Sequence, residues 1–381
     1  MCSSTNIHSY VKKNNHRIMY ACLSGNADWF RTLFSIGNIE ALLALRTKRN
    51  ETLFHYLLGI YSGVRFINEG GRLIIFRTLL NTIKSSKTID SSIINVRNNK
   101  GNTVLHIACM KGNIEIVKVL CNIANIDFSI QNKNGEIPLY TAVRRTRNVD
   151  IVRELLKYHN RYDVNQQDNE GNTVLHMSCM PESSHPDIVR LLCNTPSIRV
   201  DIQNKNGDTP LIAAFEESHD NNITIIEELL ECHKQHNISI NQQDNDGNTA
   251  IHIASSYLNV EALKLLIAFG GDCSIRNNEG SIPIMSVFDE KSYYFEDGHI
   301  IETIEEFLLR QDKYDINSVD NRGNTILHTA TAFTFIDTVE LLLETNINPT
   351  LINHYGKTPY YLAWEHENKY LMTLLSKYET I

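Results

Sequence analysis

Five histidines of this 381-residue chain close related hexapeptides. His106 and His176 end GNTVLH, His252 ends GNTAIH, His328 ends GNTILH and His55 ends the looser NETLFH. A column of imidazoles is a candidate for metal coordination or for a proton switch near neutral pH. His176, Cys179 and His185 add nitrogen and sulfur ligands of the type zinc selects. Arg144-Arg145-Thr146-Arg147 gathers three guanidinium groups, whose planar forks recognise carboxylate or phosphate. Tyr293, Tyr294 and Phe295 put three aromatic rings in one short stretch, the side chains that anchor protein interfaces. The chain has no Walker-type phosphate loop, no nucleophile elbow and no HExxH pair.

The elements that must position these side chains decide between the readings. Between the histidine blocks lie related ones: GEIPLY at Gly135, GDTPLI at Gly207, GSIPIM at Gly280 and GKTPYY at Gly356. Successive glycines from Gly101 to Gly356 are 34, 36, 36, 40, 33, 43 and 33 residues apart. A period of this length means stacked supersecondary units that share one continuous core. Each unit has the same internal order. An Asn/Asp-rich turn ends in Gly, a short helix starts at Thr, and a more apolar helix follows, such as Ile188-Val189-Arg190-Leu191-Leu192.

The units alternate. Units without the histidine carry Pro138, Pro210, Pro283 or Pro359 in the first helical turn, where a missing N–H is harmless. Six residues before Gly, the histidine units have Asn95, Asn165, Asn241 and Asn317, whereas the others have Ser129, Asp201, Ser274 and Thr350. Two markers with one alternation imply a duplicated pair of 70 to 76 residues. The histidine column is interrupted by Tyr140, Ile212, Met285 and Tyr361, so no metal spacing builds around it. Two of the three zinc candidates also belong to the repeat's own pattern.

The T-P-L-H-like block, recurring at this spacing, resembles the ankyrin repeat: a β-turn and two antiparallel helices. The resemblance covers nearly the whole chain, with Asn50 in the glycine position of an earlier unit. It implies an all-α repeat solenoid of helix–turn–helix pairs linked by β-turn or hairpin loops. It also implies that Thr and His hydrogen-bond within and between neighbouring repeats. Residues 1–46 are expected to form N-terminal capping helices, continuous with a solenoid over 47–381 as one elongated domain. In proteins that look like this, ligands cross the turn tips and first helices. The same resemblance makes Asn95, Asn165, Asn241 and Asn317 candidates for asparagine hydroxylation.

Charge is uneven along the chain. Residues 1–190 hold 24 Lys and Arg against 15 Asp and Glu, whereas 191–381 hold 12 against 29. Such asymmetry orients a charged partner. No apolar run is long enough to span a membrane, and no secretory signal is expected at the start. The eight cysteines contain no CxxC pair, which suits buried free thiols in a reducing compartment.

The expectation is a soluble cytoplasmic monomer, with the nucleus as an alternative location. It is read as a non-catalytic protein-interaction scaffold without cofactor or metal. The first alternative is a secreted effector or host-range factor of an intracellular pathogen, binding a host protein in the host cytosol. A nucleic-acid binder or an unrecognised enzyme ranks lower, because no dense Lys/Arg run with interleaved aromatics exists. The partner anchors are expected to be Arg144, Arg145, Arg147, Tyr293, Tyr294 and Phe295, then Lys100, Met110 and Lys111.

Overall fold

The Asn/Asp-x-x-Gly order dictates the turn that opens each repeat. In the computed structural model, the Asn132 carboxamide oxygen accepts from the amides of Asn134 (2.9 Å) and Glu136 (3.1 Å). The backbone closes the turn with Asn132 N–H to Glu136 O at 2.9 Å and Gly135 N–H to Asn132 O at 3.1 Å. Asp168 repeats the pattern with Glu170 and Asn172, both at 2.8 Å. The closing residue needs a left-handed backbone: Gly135 has φ +81° and Gly207 φ +82°. Asn50 occupies the same position with φ 57°, which an asparagine side chain tolerates.

The structure describes residues 15–36, 42–58, 69–85, 91–180, 185–215, 223–289 and 297–378. They are helical and carry no β-strand. The chain folds as two compact units, residues 1–178 with 182–198 and residues 179–181 with 199–381. In the first unit, helices Asn15–Ser24 and Ala27–Ile36 precede the pairs Leu53–Leu57 with Glu69–Ser85, Val104–Met110 with Ile114–Cys121, Pro138–Thr146 with Val149–Leu156, and Val174–Cys179 with Pro186–Cys193. In the second, Pro210–Ala213 pairs with Ile223–His236, Ala250–Ser256 with Val260–Ala268, Ile326–Ala332 with Ile336–Leu343, and Pro359–Glu365 with Lys369–Leu375.

The repeats at Gly207 and Gly280, which have the longest spacings, are irregular. The first has only the four-residue helix Pro210–Ala213 before its long second helix. The second replaces its first helix with the 3-10 segment Pro283–Phe288, followed by extended Asp289 and the helix Asp297–Leu308.

First helices of four to nine residues are too short to persist alone in water, so capping and stacking must hold them. Thr103 takes an extended backbone, and its hydroxyl accepts from the His106 amide while His106 Nδ1 accepts from Thr103 N–H at 3.1 Å. Second helices start on Asn113, Asn148, Asn259 and Asn368, whose side chains cap the first turn. In the first unit, Val104–Met110 packs on Pro138–Thr146 and Ile114–Cys121 on Val149–Leu156. Small residues line these contacts: Ala108, Cys109 and Ala142 are fully buried, and larger Leu105, Val117, Leu120 and Leu155 fill the remaining space.

Cys109, Cys121, Cys179, Cys193, Cys232 and Cys273 are buried thiols outside any disulfide. Burial pushes the Cys109 thiol well above its ordinary value, Cys121 up to about 12 and Cys273 up to about 11. Because the thiolate is the nucleophile, a disulfide reagent such as dithiobis-nitrobenzoate should leave these six unmodified in the native chain at pH 8. All should react in guanidinium; labelling of Cys109 in the folded protein would contradict its burial.

Candidate interaction surface

The five histidines are part of the frame. His55 Nε2 donates to Asn102 O at 3.0 Å, His106 to Glu136 O at 2.9 Å, His252 to Ser281 O at 3.1 Å and His328 to Lys357 O at 3.1 Å. A carbonyl can only accept, so these rings carry their proton on Nε2, leaving Nδ1 to accept from Thr. Burial holds His55, His106 and His252 down at about 4 and lowers His328 as well. These four rings are therefore neutral bridges between consecutive repeats, and His176 Nδ1 accepts from Thr173 N–H at 3.1 Å in the same capping arrangement. Among the described residues, no three His, Cys, Asp or Glu side chains are grouped to hold a metal ion.

The alternating asparagines have the same kind of work. Asn95 donates to Asn125 O at 2.7 Å and accepts from Asp127 N–H at 3.0 Å. Asn241 does the same with Gly270 O and Asp272 N–H, and Asn317 with Asn346 O and Asn348 N–H. Both markers of the alternation thus reach from a histidine repeat into the repeat that follows.

Turn tips are joined by one backbone bond each. Asn99 N–H meets Arg49 O (2.9 Å), Lys133 N–H meets Lys100 O (3.0 Å) and Asn169 N–H meets Asn134 O (2.9 Å) in the first unit. In the second unit, the bonds are Asn245 to Asn206, Asn278 to Asp246, Asn321 to Glu279 and His354 to Arg322, at 2.8 to 3.0 Å. Four residues before Gly, a side chain braces two carbonyls. Gln131 Nε2 donates to Gly135 O and Gln167 O, Gln203 to Gly207 O and Gln243 O, and Gln243 to Gly247 O and Arg276 O. Arg276 continues the series onto Gly280 O and Val319 O.

On this rigid backbone the residue just before each turn glycine is free to differ. Lys100, Asn134, Glu170, Asn206, Asp246, Glu279, Arg322 and Tyr355 are all exposed. They span cationic, anionic, amide and aromatic chemistry.

The structure separates the arginine cluster. Arg144 forms an ion pair with Glu136, whose carboxylate is buried and also accepts from Asn132 Nδ2 at 2.6 Å. That pair completes a network in which Asn132 Nδ2 reaches Asn102 Oδ1 at 3.0 Å. Nearby, the buried Tyr140 donates to Asp168 at 2.5 Å, and burial with this bond raises its phenol. Arg144 is a frame residue. Arg145 and Arg147 are exposed, and neither forms an ion pair with a described residue. Arg147 is the C-cap of Pro138–Thr146 at φ 51°. Lys100 is exposed on a turn tip; Met110 is half-buried and Lys111 exposed where Val104–Met110 ends. Tyr293, Tyr294 and Phe295 lie outside the described residues.

Sequence reasoning missed a groove in the second unit. About 570 Å³ in volume, it lies against the tips and first segments of the last three repeats and is lined by Glu279, Phe288, Asp320, Phe333, Tyr355 and Leu362 among others. Phe288 lies 6.2 Å from Phe333 and 5.8 Å from Phe335, ring centre to ring centre. Nothing in the repeat's period marks Phe288 and Phe333 as neighbours.

The chain matches the family profile described as ankyrin repeats (3 copies) at residues 18–168, 148–238 and 292–381. The profile ankyrin repeats (many copies) matches residues 233–284. It is 29% identical over 210 residues to neurogenic locus notch homolog protein 1 of Danio rerio, covering 51% of this chain and 8% of that protein. Over 313 residues it is 24% identical to poly [ADP-ribose] polymerase tankyrase of Caenorhabditis elegans, 68% of this chain and 13% of that one. The chain therefore spans a small fraction of these relatives. The ankyrin repeat domain of Bcl-3 has the same fold, with a TM-score of 0.50 at 24% identity over 62% of this chain and 94% of that structure. No helix among the described residues is long and apolar enough to cross a membrane. With profiles covering nearly its whole length and turns, caps and helix pairs that repeat at their spacing, the chain belongs to the ankyrin-repeat family.

Proposed function

We propose that this chain is a non-catalytic scaffold that binds a protein partner across its turn tips, first helices and irregular loops. Ankyrin repeats are in general protein-interaction modules. The observation that supports the reading most directly is the separation of frame from surface. Eight tips share one bonded geometry while the exposed residue on each is chemically different. A preformed surface costs little ordering entropy on binding, so modest contacts suffice for affinity. Arg145, Arg147, Lys100, Met110 and Lys111 sit on that surface in the first unit. The groove beside Phe288 and Phe333 is the corresponding feature of the second.

Affinity capture of source-cell proteins, with quantitation by mass spectrometry after nuclease treatment, tests the reading. The intact chain should retain one protein in stoichiometric amount. An Arg145→Glu/Arg147→Glu variant should retain at least fivefold less of it while keeping the same circular dichroism. Arg144 is left native, because Glu there would face the buried carboxylate of Glu136. Retention of no protein at stoichiometric level would sink the scaffold reading.

A further inference from the structure

The acidic residues of the first unit are disposed in two different ways. Among the described side chains of the second helices, the carboxylates are paired with cations. Asp28 pairs with Arg31 at 3.1 Å, Glu115 with Lys118 at 3.7 Å, Asp150 with Arg153 at 2.6 Å and Asp187 with Arg190 at 3.1 Å. Glu154 pairs with Lys157 at the end of its helix, at 2.6 Å. That side is neutralised within itself.

The tips and first helices show the reverse. Their carboxylates are withdrawn: Glu51 is 1% exposed and bonded to Thr47, and Glu136 is 3% exposed and taken up by Arg144 and Asn132. Their cations are left over. Lys48, Lys100 and Lys133 are exposed on three stacked tips, and Lys111, Arg145 and Arg147 are exposed where the adjoining first helices end. None of the six makes an ion pair with a described residue, whereas every cation named on the second helices does. The two rows are separated by helices of seven and nine residues, about 10 to 14 Å. Glu170, exposed on the following tip, bounds the patch.

We propose that this face of the first unit docks an acidic, extended segment of a partner protein, with carboxylates meeting the tip row and the helix-end row. The inference rests on the protein-binding reading above and names its partner's chemistry. Unpaired cations on a fixed backbone meet carboxylates without first breaking internal ion pairs, which is the condition for steering and for specificity by charge. A nucleic acid fits the face less well. Binding of single strands relies on exposed aromatic rings for stacking, and the exposed large apolar side chains described in this unit are Tyr20 and Ile74, outside the patch.

The test uses the full chain and fluorescence anisotropy with labelled deca-glutamate, a ten-nucleotide oligo-dT and a neutral Gly/Ser peptide, at 50 and 150 mM NaCl. Deca-glutamate should bind more tightly than either other probe, and less tightly at the higher salt. Lys100→Glu/Lys133→Glu and Arg145→Glu/Arg147→Glu should each weaken it by about tenfold, about 1.4 kcal/mol. Lys118→Glu/Arg153→Glu, on the neutralised side, should change it by less than about twofold, far below one decade. The Gln versions of the same pairs serve if a Glu version fails to fold. Equal losses from both sides would reduce the effect to bulk charge and overturn the proposal. So would absence of deca-glutamate binding, or tighter binding of oligo-dT lost in the same variants. If a captured protein survives while these outcomes fail, the scaffold stands and its contact lies elsewhere; if both fail, the scaffold reading falls.

Discussion

Acidification from pH 7 to pH 4 is expected to remove most of this protein's stability. His55, His106 and His252 are held neutral at about 4 by burial, against an ordinary value of 6.5. Unfolding exposes rings that bind protons at pH values where the folded rings do not. Stability contributed by the neutral rings is thus full above about 6.5 and falls as pH drops through that value. It is gone below about 4. A displacement of this size is worth roughly 3 kcal/mol per ring, and three rings approach the whole stability of a typical domain. Urea unfolding followed by circular dichroism at pH 7, 5.5 and 4.5 measures this. A His252→Gln variant should start less stable at pH 7 and lose less on acidification. A midpoint unchanged between pH 7 and pH 4.5 would mean that the rings are not buried neutral bridges.

Gly207→Ala, like Gly135→Ala, should be among the most damaging single-methyl substitutions in the turns, costing about 3 kcal/mol or more. Two causes add. The position has φ +82°, which costs an L-residue roughly 1 to 2 kcal/mol. A Cβ there would also stand 2.5 Å from Asn245 N and 2.9 Å from Asp244 C, backbone that is fixed by its own turn. Gly356→Ala separates the causes. Its φ is +72°, yet a Cβ would meet nothing within 4 Å, so only the roughly 1 kcal/mol conformational cost remains. Thermal and chemical unfolding of the two variants should therefore differ by about 2 kcal/mol. Equal losses would show that the neighbouring turn yields, and that close stacking of tips is not what requires glycine.

Most of the fold was legible because the repeat states each local rule several times. The turn glycines, the Thr caps, the Pro-bearing helix starts and the bridging histidines all follow from short-range chemistry. The irregular repeats were legible only as extra length. Nothing in PIMSVF distinguishes a 3-10 segment from a short α-helix, since the choice depends on where Asp289 must lead the chain. The candidate surface was half legible. Three arginines within four residues look equivalent in sequence, but Arg144 reaches back eight residues to Glu136, and that buried carboxylate is invisible without the turn that places it. The bond from Tyr140 to Asp168 likewise depends on how one repeat seats on the next. Exposure of Arg145 and Arg147 follows from what remains.

The series of braces that begins at Gln131 does not run to the end of the second unit. Val319 and Ile352 stand in that position in the repeats at Gly323 and Gly356, and Ile352 is 63% exposed. Those two tips keep the backbone bond from His354 to Arg322, the amide contact of Asn353 with Asn324 and the bond from His328 to Lys357 O, but the side chains of Val319 and Ile352 can clamp no carbonyl across them. Local opening is therefore expected to cost less at these two tips than at the clamped turns before them. Amide hydrogen exchange should accordingly be faster at these last tips, where fewer bonds must break together, than at the clamped turns.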